Sequence, residues 1–460
     1  VTYHLNKRPA FTAITLLVLQ LSSSVLNAQV PDAVRSDFRQ WATQSLHAVT
    51  VDGLDAPTRD LGPLKKMIGD ARVVAVSEAT HAGAEALAFR NRLFKYLVEE
   101  QGFAAIAIES GIVESRLIND YVTQGKGDLD TVAKQGLTWT FDTFPQNKAL
   151  IRWVRDYNSR LPAGVRKVQF LGFDVSGSPG NPGANRGPGT ALFAAFDYLR
   201  TVDPQQAERL QSRAAALLAN PQMTYEGLKD AERESITLAI ADLVSLMERK
   251  RFQYIAKSSA IDYAWGERTS VAARQVDTWW RHMPSNWRQA DGYEWVRDAT
   301  QYRERAMADN LEWIVGRLNA RDRVLVFAAV AHIASEPFRF PDAPERDMFG
   351  FGAYVKARYG DEFVNMLQVV AGGEITRCDV SERKPILLKL APEPSSESLF
   401  ASVNAPLYVL DLRAAPRSVS SWLSQPHEHW NGFSSMKFSI AAAFDIVFFT
   451  SSVSPACAGK

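Results

Sequence analysis

Glu78 and His81 stand three residues apart in the stretch Ser77-Glu78-Ala79-Thr80-His81. A carboxylate that close to an imidazole can fix which ring nitrogen carries the proton and raise the ring's basicity, which suits a general base working near neutral pH. The competing reading is local: Thr80 caps the helix that follows, and His81 sits in its first turn. Three more ionisable residues, Glu109, Asp174 and His332, each close a short apolar run. A set of Glu, Asp and His supports water activation by an imidazole, with a second imidazole donating to the developing oxyanion or shuttling a proton. The same residue types can hold a divalent metal. There is no His-Glu-x-x-His spacing, which ranks the metal second. No Gly-x-Ser-x-Gly elbow points to a serine nucleophile. Arg90, two to three helical turns after His81, pairs with Glu78 or Glu109 if it faces the sheet and is solvated if it does not.

These residues need elements that bring them together. Residues 72–76 (RVVAV) and 103–108 (FAAIAI) read as strands buried on both faces. Between them, residues 84–100 carry apolar positions at helical spacing, with Gly102 as the stop. Strand, helix, strand at this spacing is a βαβ unit and predicts a parallel sheet. Residues 168–173, 324–330, 363–370, 407–410 and 446–449 are further strands. No clear helix separates the last two, which makes the sheet partly mixed. In an open α/β sheet, ligand sites lie beyond the carboxyl ends of the strands. Four strand ends bearing Glu78, Glu109, Asp174 and His332 therefore converge on one crevice.

The chain is divided as follows: residues 1–28 a secretory signal, 29–64 a linker and entry helix, 65–188 the first part of an α/β core, 189–318 a helical insert, and 319–460 the rest of the core. The insert is read as helices over 191–199, 207–218, 225–251, 270–281 and 302–318, forming either a wall beside the site or a packing layer. Its Trp265, Trp279 and Trp280 line a pocket or fill the core. The Gly/Pro-rich residues 176–189 lack the Lys-Ser/Thr ending of a phosphate loop and read as a connector. At the N-terminus, Lys7 and Arg8 precede an apolar run from Phe11 to Leu21 and the sequence Leu26-Asn27-Ala28. This is the layout of an export signal, too short for a comfortable membrane span, and implies a periplasmic or secreted protein with no integral membrane segment after cleavage. Export would permit Cys378 and Cys457, the two cysteines of the chain, to pair in a disulfide; two free thiols are the other reading. With a net charge of +1, nothing argues for nucleic acid or an anionic surface as a partner.

At these residues the chain resembles the erythromycin esterase family, which includes proteins of succinoglycan biosynthesis. The family's Gly-Glu-x-Thr-His-Gly reads here Ser77-Glu78-Ala79-Thr80-His81-Ala82, with Arg90 and Glu109 at matching positions. Residues 153–158 (WVRDYN), 170–174 (FLGFD), 303–311 (RERAMADNL) and 444–455 (FDIVFFTSSVSP) are similar to family segments. The resemblance implies a three-layer α/β/α fold and cofactor-free, metal-independent hydrolysis of an ester or macrolide lactone. His81 would activate water, Glu78, Glu109 and Arg90 would organise that imidazole and the substrate, and Asp174 would support them. His332 matches the second His of a family His-x-x-His. Three departures stand out: Ala329 replaces the first His of that pair, and Ser77 and Ala82 replace glycines. A metal-dependent hydrolase in the same crevice, or a binding module that has lost catalysis, are the alternatives.

Overall fold

The computed structural model describes residues 30–177, 187–219, 225–281, 293–341, 344–376, 384–388, 395–430 and 435–457. The signal-like segment, Cys378 and most of the Gly/Pro-rich connector lie outside these residues. In chain order the described strands are β1 (His47–Ala48), β2 (Val73–Glu78), β3 (Phe103–Gly111), β4 (Gln169–Asp174), β5 (Arg323–Ala329), β6 (Phe363–Val370), β7 (Gly373–Thr376), β8 (Pro385–Leu388), β9 (Leu407–Asp411), β10 (Pro426–Trp430), β11 (Ser435–Ser439) and β12 (Ile446–Thr450). Eight form one sheet in the order β1-β9-β12-β6-β2-β5-β3-β4. The strands from β12 to β4 run parallel, and β9 and β1 close the far edge antiparallel. The remaining strands pair as two hairpins, β7-β8 and β10-β11.

Each central strand is apolar on both faces, and its alternate side chains enter different cores. Val74, Val76, Ile106, Ile108, Leu325 and Phe327 pack against the helices Ala84–Gln101 and Pro145–Arg160. Val73, Ala75, Ala105, Ala107, Val324, Val326 and Ala328 face the opposite way and join one continuous core with the helices Gly189–Val202, Asp230–Arg249, Ala260–Trp280 and Tyr293–Gly316. The helical insert is thus the third layer of the α/β/α sandwich. Each buried aliphatic side chain contributes about 1.5–3 kcal/mol, so truncating one such as Leu325 to Ala costs about 2–5 kcal/mol.

Element boundaries differ from expectation in two instructive places. The helix after β2 begins at Ala84, with Gly83 as its N-cap, so Thr80 does not cap it and His81 lies in the turn before it. The single helix expected over 225–251 is broken into a 3-10 turn Tyr225–Gly227 and the helices Asp230–Arg249 and Arg251–Lys257. Lys229 there is extended, and its N–H is taken by the Glu232 side chain in a capping box. Among the described residues no helix is long and apolar enough to cross a membrane.

Candidate active site

The strands β2, β5, β3 and β4 are consecutive, parallel neighbours, so their carboxyl ends share one edge of the sheet. Glu78 ends β2, Asp174 ends β4, Glu109 lies two residues before the end of β3, and His332 follows β5 in the short helix Val330–Ile333. The ladder between β3 and β4 shifts register between Ile108 and Gly111, a bulge of the kind that re-aims a side chain, here Glu109. The backbone crosses so closely that a Cβ on Gly172 would lie 2.2 Å from the Ser110 carbonyl oxygen, which excludes any other residue there.

Two groups stand on this edge. In the first, His81 Nδ1 lies 2.6 Å from Glu78 Oε1; the His81 side chain is 53% exposed and that of Glu78 only 1%. The turn is pinned from below, since Ala79 N–H donates to Gln368 Oε1 (2.7 Å) and Gln368 N–H donates to Ser77 Oγ (2.8 Å). Desolvation lowers the pKa of His81, but the charge and hydrogen bond of Glu78, with the charge of Glu109, raise it further, to about 9. The ring is therefore an imidazolium near neutrality. The basicity expected from the Glu78–His81 spacing is present, but it places the free base above pH 9 rather than near 7, because the carboxylate is buried and holds the proton firmly.

The second group is buried and centred on Arg303, which the sequence reading did not place in the site. Its Nε and Nη2 donate to Asp174 Oδ1 and Oδ2 (2.9 and 2.6 Å), and Nη2 also donates to Glu109 Oε1 (3.0 Å). The same Glu109 oxygen lies 3.1 Å from His332 Nε2, and the other accepts from the Ala329 N–H (3.0 Å). His332 Nδ1 lies 2.6 Å from Glu304 Oε1, whose partner oxygen accepts from Phe351 N–H (2.9 Å). Burial lowers the pKa of His332 less than Glu109 and Glu304 raise it, to about 10. Burial raises that of Glu109, but His332, Arg303 and His81 hold it well below the usual carboxylate range. Arg303 is likewise held protonated by Asp174 and Glu109 against its own desolvation. Among the described residues no three Asp, Glu, His or Cys side chains are disposed to hold a metal ion.

The family model for erythromycin esterase matches residues 98–453, most of the sequence. The chain belongs to the erythromycin esterase family. Erythromycin esterase type II of Escherichia coli is 24% identical over 340 residues, 72% of this chain and 76% of that protein. The fold is that of a Bacillus cereus protein (TM-score 0.76, 23% identity, covering 93% of this chain and 99% of that one). A mutant erythromycin esterase in its open conformation also shares it (TM-score 0.67, 15% identity, 89% and 98%). Family membership supports a hydrolase. The family match begins beyond Glu78 and His81, so the case for that pair rests on its own geometry.

Against the family pattern, the departures acquire physical content. Ala82 adopts φ 70°, the left-handed conformation that a glycine takes freely and an alanine takes at a cost of about 1–2 kcal/mol. Among the described residues the other non-glycine residues with positive φ are Trp139 (59°) and Thr140 (63°), and they too border the site. Strain concentrated this way is a mark of functional regions. Trp139 Nε1 donates to Asp174 Oδ2 (2.8 Å), and its ring lies 5.0 Å from the Arg303 guanidinium carbon. Ala329 contributes its backbone N–H to Glu109 and no imidazole.

Arg90 is buried, yet it forms no ion pair with Glu78 or Glu109 as the sequence reading had proposed. Its guanidinium donates to Asn91 and Asn147 and lies 4.6 Å over the Phe327 ring. Asn147, one helix away, supplies the neutral acceptor that the expected carboxylate does not. Of the insert's tryptophans, Trp279 reaches the site, 5.8 Å from Arg303, whereas Trp265 and Trp280 are core residues. Arg303 and Glu304 sit in the family-like stretch 303–311, which was the one available signal for them. They follow no strand, and the strand-end argument could not find them.

Proposed function

We propose that this protein hydrolyses a carboxylic ester or lactone by water activated at His81. The observation that carries this is the 2.6 Å contact of His81 Nδ1 with buried Glu78, which leaves Nε2 of a half-exposed ring to face the edge where the strands end. With Nδ1–H donated to Glu78, Nε2 is the nitrogen that takes a proton from water as its oxygen attacks the carbonyl carbon. The resulting imidazolium, held by Glu78, returns that proton to the leaving alkoxide when the tetrahedral intermediate collapses, giving carboxylic acid and alcohol. His332 and Arg303 are paired with Glu109, Glu304 and Asp174, so this buried network fixes the edge beside His81 rather than adding net positive charge to it. Both nitrogens of His332 are engaged, which suits a fixed charge better than a proton shuttle.

The erythromycin esterases among the relatives make a macrolide lactone the first compound to test, alongside p-nitrophenyl esters. Purified protein should add water to one of them, read by mass spectrometry for a lactone as a product heavier by the mass of one water. His81→Asn should remove the activity while leaving the fold intact; undiminished turnover in that variant would exclude His81 as the base. We further propose that the protein is exported. The basic and apolar N-terminal pattern supports this reading, as does Cys457, which is disulfide-bonded while Cys378 is the one other cysteine in the chain.

A further inference from the structure

The turn that carries His81 is covered by the end of the chain. Val453 packs with Ala79 in a small apolar cluster with Val370, Ile375 and Leu388. Ala84 N–H donates to the Ser454 carbonyl (2.9 Å), and Ala456 N–H donates to the Ala82 carbonyl (2.8 Å), on the strained residue itself. Gly83 and Pro455 form an antiparallel bridge between these bonds. Ser454 donates its N–H and Oγ–H to the two oxygens of Glu85 (2.8 and 2.6 Å). The segment is anchored again from the other side, where Val453 N–H donates to Gly372 O and Glu374 N–H donates to Val453 O (3.0 and 2.9 Å). Cys457, one residue beyond the last of these contacts, is buried and disulfide-bonded.

We propose that residues 453–457 are a positioning clamp for the His81 turn, and that the disulfide at Cys457 makes the clamp sensitive to redox state. The physical reason is that Ala82 holds an unfavourable φ which relaxes unless neighbouring backbone holds it, and the tail supplies that backbone. A short segment held by a few hydrogen bonds opens locally unless it is tied, and the disulfide is the tie. A dithiol reductant transfers two electrons and two protons to the sulfurs, becomes a disulfide itself, and leaves the tail held by its hydrogen bonds alone. The proposed effect on turnover rests on the hydrolase reading above; the effect on the turn does not.

The test is amide hydrogen exchange and steady-state kinetics on the full protein, oxidised and after dithiothreitol, for the wild type, Cys457→Ser and Glu85→Ala. Reduction should speed exchange at Ala84 by roughly tenfold or more, while Ala79, bonded to Gln368, changes less. On the high-pH plateau, where His81 is neutral in both forms, kcat should fall about tenfold in the same samples with KM little changed. The acidic limb of the pH profile should also move down from pH 9 toward 6.5 as the contact with Glu78 loosens. Cys457→Ser should reproduce the reduced state and ignore dithiothreitol; Glu85→Ala should lie between. Unchanged exchange at Ala84 on reduction overturns the clamp. Faster exchange with no turnover in any form leaves the clamp standing and removes the hydrolase reading instead.

Discussion

Two histidines of this site make the same bond and are left with different capabilities. His81 and His332 each place Nδ1 2.6 Å from a buried glutamate, Glu78 and Glu304. The His81 side chain is 53% exposed and that of His332 10%, and the second nitrogen of His332 is already committed to Glu109. A carboxylate partner raises both pKa values, to about 9 and about 10. What separates a candidate base from a structural charge is the unoccupied nitrogen and its access to solvent, not the pairing motif. The contrast continues away from the site, where buried His429 pairs with Glu397 and has no exposed nitrogen at all.

The comparison can be broken most sharply by substitution. His81→Asn should lower kcat/KM by about 10²–10⁴-fold, since it removes proton transfer, and should lower the urea midpoint modestly, because buried Glu78 loses its partner at a turn that stays open to water. His332→Asn and Arg303→Met should have the larger effect in a urea titration, because their whole network is buried. Each leaves Glu109 and a second carboxylate, Glu304 or Asp174, buried without its partner, at about 3–5 kcal/mol of stability. If His332→Asn is as stable as the wild type, the buried network does not have the structural role assigned to it.

Titration sharpens the same contrast. Below pH 9 kcat/KM should rise about tenfold per pH unit, because only the neutral form of His81 accepts a proton. Glu78→Gln should move that inflection down toward 6.5 and reduce the plateau. The folded pKa of His332 is raised, so the stability it contributes is complete below 6.5 and is lost as pH climbs through about 10. A urea midpoint that holds constant from pH 8 to about 11 would count against that assignment. The smallest effect expected is from Ala82→Gly, which relieves the positive φ and should add about 1 kcal/mol of stability, offset in part by the greater freedom of glycine in the unfolded chain.

Much of this architecture was readable before any coordinates. The runs RVVAV, FAAIAI and VLVFAAV are too short and too apolar for surface helices, and each is a central strand. Because parallel strands send their carboxyl ends one way, the acids and imidazole that follow them had to meet at one edge. The hairpins β7-β8 and β10-β11 went unread because their alternation is weak and their burial partial. The spacing left Arg90 either sheet-facing or solvated; it is buried, and the neutral partner it finds, Asn147, comes from another helix.

Residue types and their order along the chain were enough to specify a parallel sheet, the edge where chemistry would collect, and the Glu78–His81 pair, because these depend on local periodicity and short spacing. They were not enough to show that Arg303, carried in from the helical layer, neutralises Asp174 and Glu109, or that residues 454–456 bond to the backbone just after His81. Those contacts join segments separated by well over a hundred positions, and no local pattern encodes them. Whether an imidazole becomes a free base or a locked cation was decided in the same way, by which side chains the packed layers bring against its second nitrogen.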